Sequence, residues 1–426
     1  MKIAFYTLGC KVNQYETQVM ADAFIKKGYE VVDHIQYADV YIVNSCTVTG
    51  FGDKKSLKML RHFRTVNKDA IIALVGCFAQ AFPEKVKEIE NVDVIMGSFN
   101  KLDIVKNIEE FIINKNKIID IRLPSKTFEK MQSTGYQGRT RAYIKIEDGC
   151  DKWCTYCIIP KARGPIRSKA LEDVKTEANL LAQKGYKEIV LVGIDLNSYG
   201  KDIGLRITDA ILAVNAVEGI KRIRLGSLEP ELLTDDDIAI LSKLEKFCPQ
   251  FHLSLQSGCD ETLKRMNRHY DTLLYMQIVE KIRRNFDNPS ITTDVMVGFP
   301  GETNQEFSQS LNFVKNLSLA KGHVFPYSIR KGTKAAVMPN QIQKSIKDER
   351  VKQMSQFCEG EEFLKTQVGT ICEVLFESKL DDNVYVGHTK NYTKVKYKSM
   401  SDVRGEILRL KIIDVKDEYC IVERNV

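Results

Sequence analysis

The sequence predicts an α/β protein built in three parts: an N-terminal α/β domain with a parallel sheet, a partial (β/α)6 barrel, and a small antiparallel β-barrel at the C-terminus. Three observations carry this reading. From Lys2 to about Lys117, short apolar runs alternate with amphipathic helical stretches, the pattern of βαβ units. From Ala142 to about Pro339 the alternation resumes with six strand candidates, as in a (β/α) barrel; an open doubly wound sheet is the alternative. From about Lys365 the runs turn β-rich, with no helix of useful length.

In the first part the strand candidates are IAFYTLG, VYIVNS, IIALVG and VIMGS. Between them lie YETQVMADAFIKKG, KKSLKMLRHFRTV, PEKVKEIE and LDIVKNIEEFI, whose apolar residues recur at helical spacing. A polar, Ser/Thr/Gly-rich linker follows around Pro124–Arg141. The six barrel candidates are YIKIEDG, EIVLVGID, RIRLGSL, FHLSLQS, ITTDVMVGF and HVFPYSI. A connecting helix is expected from about Gln341 to Leu364, and the last part reads VGTICEVLFES, VYVGHTKNYTKVKYK and EILRLKIIDVKDEYCIVE. The expected boundaries are 1–120, a linker over 121–141, 142–363 with the connecting helix, and 364–426.

With 426 residues the chain is long enough for two to four cores. Its net charge of +7, from 63 Lys+Arg against 56 Asp+Glu, permits an acidic partner such as RNA without demanding one. No apolar run reaches membrane-spanning length, and MKIAFYTLGC lacks the features of a signal peptide, so a cytoplasmic protein with no membrane partner is expected. In that compartment 11 cysteines, an odd number, point to metal or redox chemistry rather than disulfides.

Two cysteine groups stand out. Glu147–Pro160 reads EDGCDKWCTYCIIP, which places Cys150, Cys154 and Cys157 in a C-x3-C-x2-C spacing on the first strand-to-helix loop of the barrel pattern. Three thiolates hold three irons of a four-iron cluster and leave the fourth open to another ligand, whereas a structural zinc site takes four ligands. A redox-sensitive or zinc-binding loop is the alternative. Cys10, Cys46 and Cys77 each fall just past an apolar run (IAFYTLGC, YIVNSC, IIALVGC). In a parallel sheet those strand ends share one edge, so three thiols distant in sequence converge there. Gly9, Ser45 and Gly76 precede them and let the backbone come close to a bulky group. Three buried structural cysteines are the alternative. Cys248, Cys259, Cys358, Cys372 and Cys420 show no ligand spacing.

The C-x3-C-x2-C loop resembles the signature of the radical S-adenosylmethionine (SAM) enzymes. Together with the three strand-end cysteines and the terminal β-barrel, nearly the whole chain resembles the radical SAM methylthiotransferase family. That resemblance implies SAM and two 4Fe–4S clusters as cofactors, one cluster on Cys150, Cys154 and Cys157 and an auxiliary one on Cys10, Cys46 and Cys77. It implies catalysis at these six positions: one SAM methylates a cluster-bound sulfur, and a second is split to a radical that takes a hydrogen from C2 of an adenine. TLGCKVNQYE and VNSCTVT resemble the bacterial branch acting on N6-threonylcarbamoyladenosine beside the anticodon of tRNA. The alternatives are isopentenyladenosine in tRNA (more often GCQMN) and a ribosomal-protein side chain (GCPKN). Ser45 stands where the family commonly has Thr and keeps the hydroxyl.

The resemblance further places Tyr156 near the adenine of SAM, and Gly193 and Asp195 of LVGIDLNSYG at its amino group. Gln256 and Ser257 of SLQSG and Gly298 of VGFPGE occupy later strand ends expected to line the cofactor site. Asn13 and Glu16 match the motif after Cys10, and Glu229 and Arg330 are charged strand-end candidates. The terminal barrel is expected to be an RNA-binding TRAM domain. HTKNYTKVKYK, with Tyr392, Lys394 and Lys396, interleaves bases and aromatics as RNA-holding barrels do. A second basic run, Arg139–Lys169, is expected to contact RNA as well. The expected partners are a tRNA anticodon loop and an electron donor such as a flavodoxin or ferredoxin.

Overall fold

The computed structural model describes residues 1–135 and 140–424. Six parallel strands open the chain: β1 (Lys2–Thr7), β2 (Glu30–Val32), β3 (Val40–Ser45), β4 (Ile71–Gly76), β5 (Val94–Met96) and β6 (Ile118–Asp120), in the order β2-β1-β3-β4-β5-β6. Helices α1 (Lys11–Lys26), α2 (Gly50–Val66), α3 (Cys77–Ala81), α4 (Pro83–Lys87) and α5 (Ile104–Asn114) connect them. Every residue of β3 and β4 is buried. Both faces of these central strands are covered, so the sequence shows unbroken apolar runs rather than alternation. Tyr41, Phe63 and Leu74 pack on one face and Met20, Phe24 and Ile104 on the other. The three-residue strands β2 and β6 sit at the sheet edges, too short and too exposed to leave a periodic signal.

The middle part holds β7 (Arg141–Lys145), β10 (Glu188–Val192), β11 (Arg222–Leu225), β12 (Ser227–Leu228), β13 (Gln250–Leu253), β14 (Ser290–Val297) and β15 (Lys321–Pro326). A short antiparallel pair, β8 (Glu147–Asp148) with β9 (Arg167–Ser168), lies between the first two. The parallel sheets β11-β10-β7 and β12-β13-β14-β15 meet at a bridge between Ile223 and Phe247. Among the described residues β7 and β15 do not pair, so the barrel stays open on one side. All six barrel strands read from the sequence are present; the β8–β9 clip, which pinches the cysteine loop at its base, was not read.

The last part is a closed five-stranded barrel of β16 (Ile371–Asp381), β17 (Val384–Thr389), β18 (Lys394–Lys398), β19 (Ile407–Lys416) and β20 (Tyr419–Arg424), in the order β16-β17-β18-β20-β19. Its pairs are antiparallel except β18 with β20, which closes the barrel in parallel. Val374, Phe376, Val395, Leu410 and Cys420 fill it. Cys248, Cys259 and Cys358 are likewise buried, and Cys372 is half-buried.

Arginines dock the terminal barrel onto the middle one. Arg222 donates to the carbonyls of His388 (2.9 Å) and Glu373 (2.8 Å), and Arg224 donates to that of Lys390 (3.0 Å). Glu188 binds Arg224 at 3.0 Å and lies 3.8 Å from Arg141 and Arg222, its register partners on the neighbouring strands. Tyr392 inserts here: His388 stacks on it at 4.3 Å, and the guanidinium carbons of Arg224 and Arg141 lie 4.5 and 5.0 Å from its centroid. Cation–π contacts of this kind contribute about 0.5–2 kcal/mol each. Tyr392→Ala is therefore expected to loosen this junction and speed amide exchange across residues 371–424, a change that hydrogen-exchange mass spectrometry reads. Among the described residues no helix is long and apolar enough to cross a membrane.

Candidate active site

Cys10 caps α1, Cys46 follows β3 directly, and Cys77 opens α3 after β4. Their thiols are close enough to act on one another. Burial pushes the Cys46 thiol up to about 12, and the thiols of Cys77 and Cys10 add to the shift. Burial raises Cys10 too, against the pull of Arg163. Gly9, at φ +93°, is required here: a Cβ would lie 2.6 Å from the Cβ and 2.8 Å from the Sγ of Cys46. The Ser45 hydroxyl donates to the Val75 carbonyl at 2.6 Å and accepts from the Phe78 amide at 3.3 Å, which fixes the Cys77 turn.

The second group lies on the loop clipped by β8 and β9. The Cys150 amide bonds the Gly164 carbonyl at 3.0 Å, and the Cys157 amide bonds that of Cys154 at 3.0 Å. Burial pushes the Cys157 thiol up to about 12, helped by Cys154, and raises Cys150 further, helped by Asp195. Arg268 donates to Cys154 Sγ at 3.2 Å. Glu229 holds Arg268 in a short ion pair and lies 3.8 Å from Lys152. Glu229 is thus one side chain removed from a cysteine.

A buried ion network joins the two groups. Arg163, immediately after the second cysteine loop, donates from Nε to Cys77 Sγ at 3.2 Å and from Nη2 to Asn13 Oδ1 at 2.6 Å. It also grips Glu16, which binds Lys145 at 2.7 Å and pairs closely with Lys101. Asp148 binds Lys145 at 2.6 Å and lies 3.3 Å from Arg167. Burial alone would raise the Glu16 carboxyl, but Arg163, Lys101 and Lys145 around it hold it well below the usual range. Four cations, Lys101, Lys145, Arg163 and Arg167, surround the carboxylates of Glu16 and Asp148, with the half-buried Glu129 nearby. Buried charge of one sign needs compensation, which Cys10, Cys46 and Cys77 would provide as thiolates once they ligate iron.

Two cavities adjoin this frame. One, of about 680 Å³, runs through the barrel interior and is bounded by Cys10, Lys11, Gly193, His252, His323 and the Asn391–Lys394 edge of the terminal barrel. Cys10 is the most exposed of its group, and that exposure faces this cavity. The other, of about 150 Å³, is bounded by Tyr156, Cys157, Gln256, Met296 and Phe325. Asp294 borders both.

Residues 2–97 match the model of the uncharacterized protein family UPF0004, and residues 144–314 match that of the radical SAM superfamily. The chain is 38% identical to the threonylcarbamoyladenosine tRNA methylthiotransferase MtaB of Bacillus subtilis, over 98% of this chain and 95% of that one. It is 36% identical to the protein of the same name from Aquifex aeolicus, over 97% and 100%. The chain belongs to the radical SAM methylthiotransferase family. A tRNA-2-methylthio-N(6)-dimethylallyladenosine synthase of Clostridium botulinum is 35% identical, over 96% and 93%. In fold, the methylthiotransferase is similar to the radical SAM methyltransferase TsrM of Kitasatospora setae, with a TM-score of 0.57 at 13% identity over 79% of this chain and 77% of that one.

Enzymes of this family use SAM and 4Fe–4S clusters, and the residues present fit both. Among the described residues no three His, Cys, Asp or Glu side chains are set around a single ion; a multi-iron cluster is the group that spans thiols set further apart. Buried acceptors beside the second cysteine group lack partners: Asp195 Oδ1, Glu147 Oε1 and Gln256 Oε1. SAM carries the ammonium and hydroxyl donors that such acceptors need. Gly193 makes room for Glu147, because a Cβ there would lie 2.6 Å from Glu147 Oε2, the acceptor for the Ile194 and Asp195 amides.

The other sequence candidates are placed differently. Ser257 is fully buried and accepts from the Cys259 amide at 3.3 Å. Gly298 donates to Glu302 at 2.6 Å and packs under Lys347. Neither lines the two cavities. Arg330 is buried across the boundary between the first two parts, 2.8 Å from Asp53. Lys394 pairs with Glu418 at 2.8 Å and, with Lys396, lies over Tyr419. The faces of Tyr392 are taken by His388 and the two arginines.

One expectation is corrected. The basic run up to Lys169 is not an RNA-facing surface over the described residues. Lys145, Arg163, Arg167 and Lys169 are buried, Lys169 against Glu177, Lys152 pairs with Glu231 and Arg141 with Glu377; Lys161 alone of the described basic residues is exposed, where it donates to the Gly332 carbonyl, and Arg139 lies outside the described residues. The acids that neutralise this run come from other segments, which composition of the run alone cannot reveal. Lys101, Arg163 and Arg268 were not singled out from the sequence as site residues, since no local motif announces them.

Proposed function

We propose that this methylthiotransferase acts on N6-threonylcarbamoyladenosine in the anticodon loop of tRNA and adds a methylthio group at C2 of the base. The charged side chains in the wall of the large cavity carry the choice of substrate. Beside Cys10 it is lined by Lys11, His252, Asp294, Lys321, His323 and Glu359. A dimethylallyl group would strip water from these side chains and return no hydrogen bond, whereas a threonylcarbamoyl group offers a carboxylate, a hydroxyl and a urea. The two MtaB relatives are named for that nucleoside.

The C–H at adenine C2 is not acidic enough for a protein base, so general acid–base catalysis does not reach it. When bound at Cys150, Cys154 and Cys157, the reduced cluster supplies the electron that splits SAM and so provides a radical able to take that hydrogen. The chain's own residues supply position. Asp195, Glu147 and Gln256 offer acceptors to SAM, Tyr156 walls the small cavity, and Arg268 fixes Cys154. Cys10, Cys46 and Cys77 would hold the cluster that supplies the sulfur, and Arg163 ties Cys77 to the SAM loop. Residues 1–120, 142–363 and 364–426 divide the work as auxiliary-cluster domain, SAM barrel and RNA-binding TRAM domain. A cytoplasmic flavodoxin or ferredoxin serves as electron donor.

The test is anaerobic turnover of the reconstituted enzyme on two tRNAs, one carrying N6-threonylcarbamoyladenosine and one carrying dimethylallyladenosine. Nucleoside mass spectrometry should find the methylthio product on the first alone. Product on the second alone would overturn the substrate assignment.

A further inference from the structure

We infer that Lys11 is the specificity-determining residue that reads the carboxylate of the threonylcarbamoyl group; this rests on the substrate proposed above. Lys11 directly follows Cys10 and, like it, lines the large cavity. Its exposure faces that space rather than a partner, and among the described residues it has no ion pair or hydrogen bond from its ammonium. The charged groups on other elements that act on it are Arg141 and Arg224, with one carboxylate, Glu188. Glu188 is already engaged by Arg224, with Arg141 and Arg222 alongside, and Arg141 is also paired with Glu377 at 2.8 Å, which leaves two carboxylates for these three arginines and Lys11. Elsewhere on the cavity wall His252 pairs with Asp294 at 3.3 Å and Lys394 with Glu418 at 2.8 Å, while Lys321 and Glu359 add one charge of each sign. The region around Lys11 therefore holds cations in excess, and its missing counterpart is an anion brought by the ligand.

Adenine geometry makes the contact reachable. C2 and the carbon bearing N6 flank the same ring nitrogen, so the reacting carbon and the N6 substituent share one edge of the base. A base presenting C2 to the cluster at Cys10 presents that substituent within a side chain's length of the next residue. Lys11 is also long and mobile enough to follow a carboxylate at the end of a urea. A neutral or apolar N6 substituent would leave the ammonium facing other cations in a site emptied of water, which disfavours the wrong nucleoside as well as favouring the right one.

The experiment uses the holoenzyme with both clusters and tRNA carrying either N6-threonylcarbamoyladenosine or its primary amide, in which the carboxylate is neutral. Wild type should turn over the acid with a kcat/KM about 10- to 100-fold above the amide, mostly through KM. Lys11→Met should lose that preference while keeping its iron content and SAM cleavage, and Lys11→Arg should retain most of it. Equal turnover of acid and amide by wild type would overturn the assignment without any variant. So would Lys11→Met with an undiminished preference. Wild type acting on dimethylallyladenosine and not on threonylcarbamoyladenosine would instead sink the substrate reading on which this rests.

Discussion

Arg163→Leu is expected to leave the protein with about half its iron, roughly four atoms instead of eight, and with an opened junction between the first two parts. The guanidinium donates to Cys77, Asn13 and Glu16 together, with no exposure to water. Removing it takes the donor from Cys77 Sγ and Asn13 Oδ1 and one of three cations from Glu16, and breaking a buried ion pair from one side costs about 3–5 kcal/mol. The loss should fall on the Cys10, Cys46 and Cys77 site, since Arg163 touches no cysteine of its own loop. Arg163→Lys keeps the charge but cannot make the planar fork, and should give an intermediate result. Iron analysis with electron paramagnetic resonance of the reduced protein separates the two sites. The network also sets a pH dependence. Glu16 is held ionised in the folded state, below its unfolded value of about 4.3. Its contribution is complete above that value and is lost as pH falls towards the folded one, so acid should open this junction in wild type and less so in Glu16→Gln.

Removing either cysteine group should abolish methylthio transfer, with different remnants. Alanine at Cys150, Cys154 and Cys157 should remove about four irons and all reductive cleavage of SAM. Alanine at Cys10, Cys46 and Cys77 should remove as many but leave that cleavage intact. The single tryptophan of the chain, Trp153, sits within the C-x3-C-x2-C loop and is exposed. Its emission should therefore respond chiefly to iron at Cys150, Cys154 and Cys157. Loss of SAM cleavage in the second variant, with its remaining four irons present, would show that the two sites do not divide the chemistry.

Much of this arrangement is legible in the sequence, and the reasons are local. A strand buried on both faces reads as an unbroken run, so VYIVNS and IIALVG announce themselves and fix where Cys46 and Cys77 fall. C-x3-C-x2-C is a ligand spacing on one loop. What stays hidden depends on long-range pairing. Glu16 reads as the start of a helix, and nothing near it in sequence shows that Lys101, Lys145 and Arg163 converge on it. The same blindness made the run up to Lys169 look like an RNA surface. Tyr392 among lysines suggests base stacking, but its ring lies between His388 and two arginines of another domain. Gly298 and Ser257 sit at plausible strand ends, and only the packing shows that they brace turns and lie outside the two cavities described.

The most direct test is mass spectrometry of nucleosides from bulk tRNA of cells with and without this gene. Without the gene, 2-methylthio-N6-threonylcarbamoyladenosine should disappear, its unthiolated precursor accumulate, and 2-methylthio-dimethylallyladenosine stay unchanged. Persistence of the first nucleoside with loss of the last would contradict it.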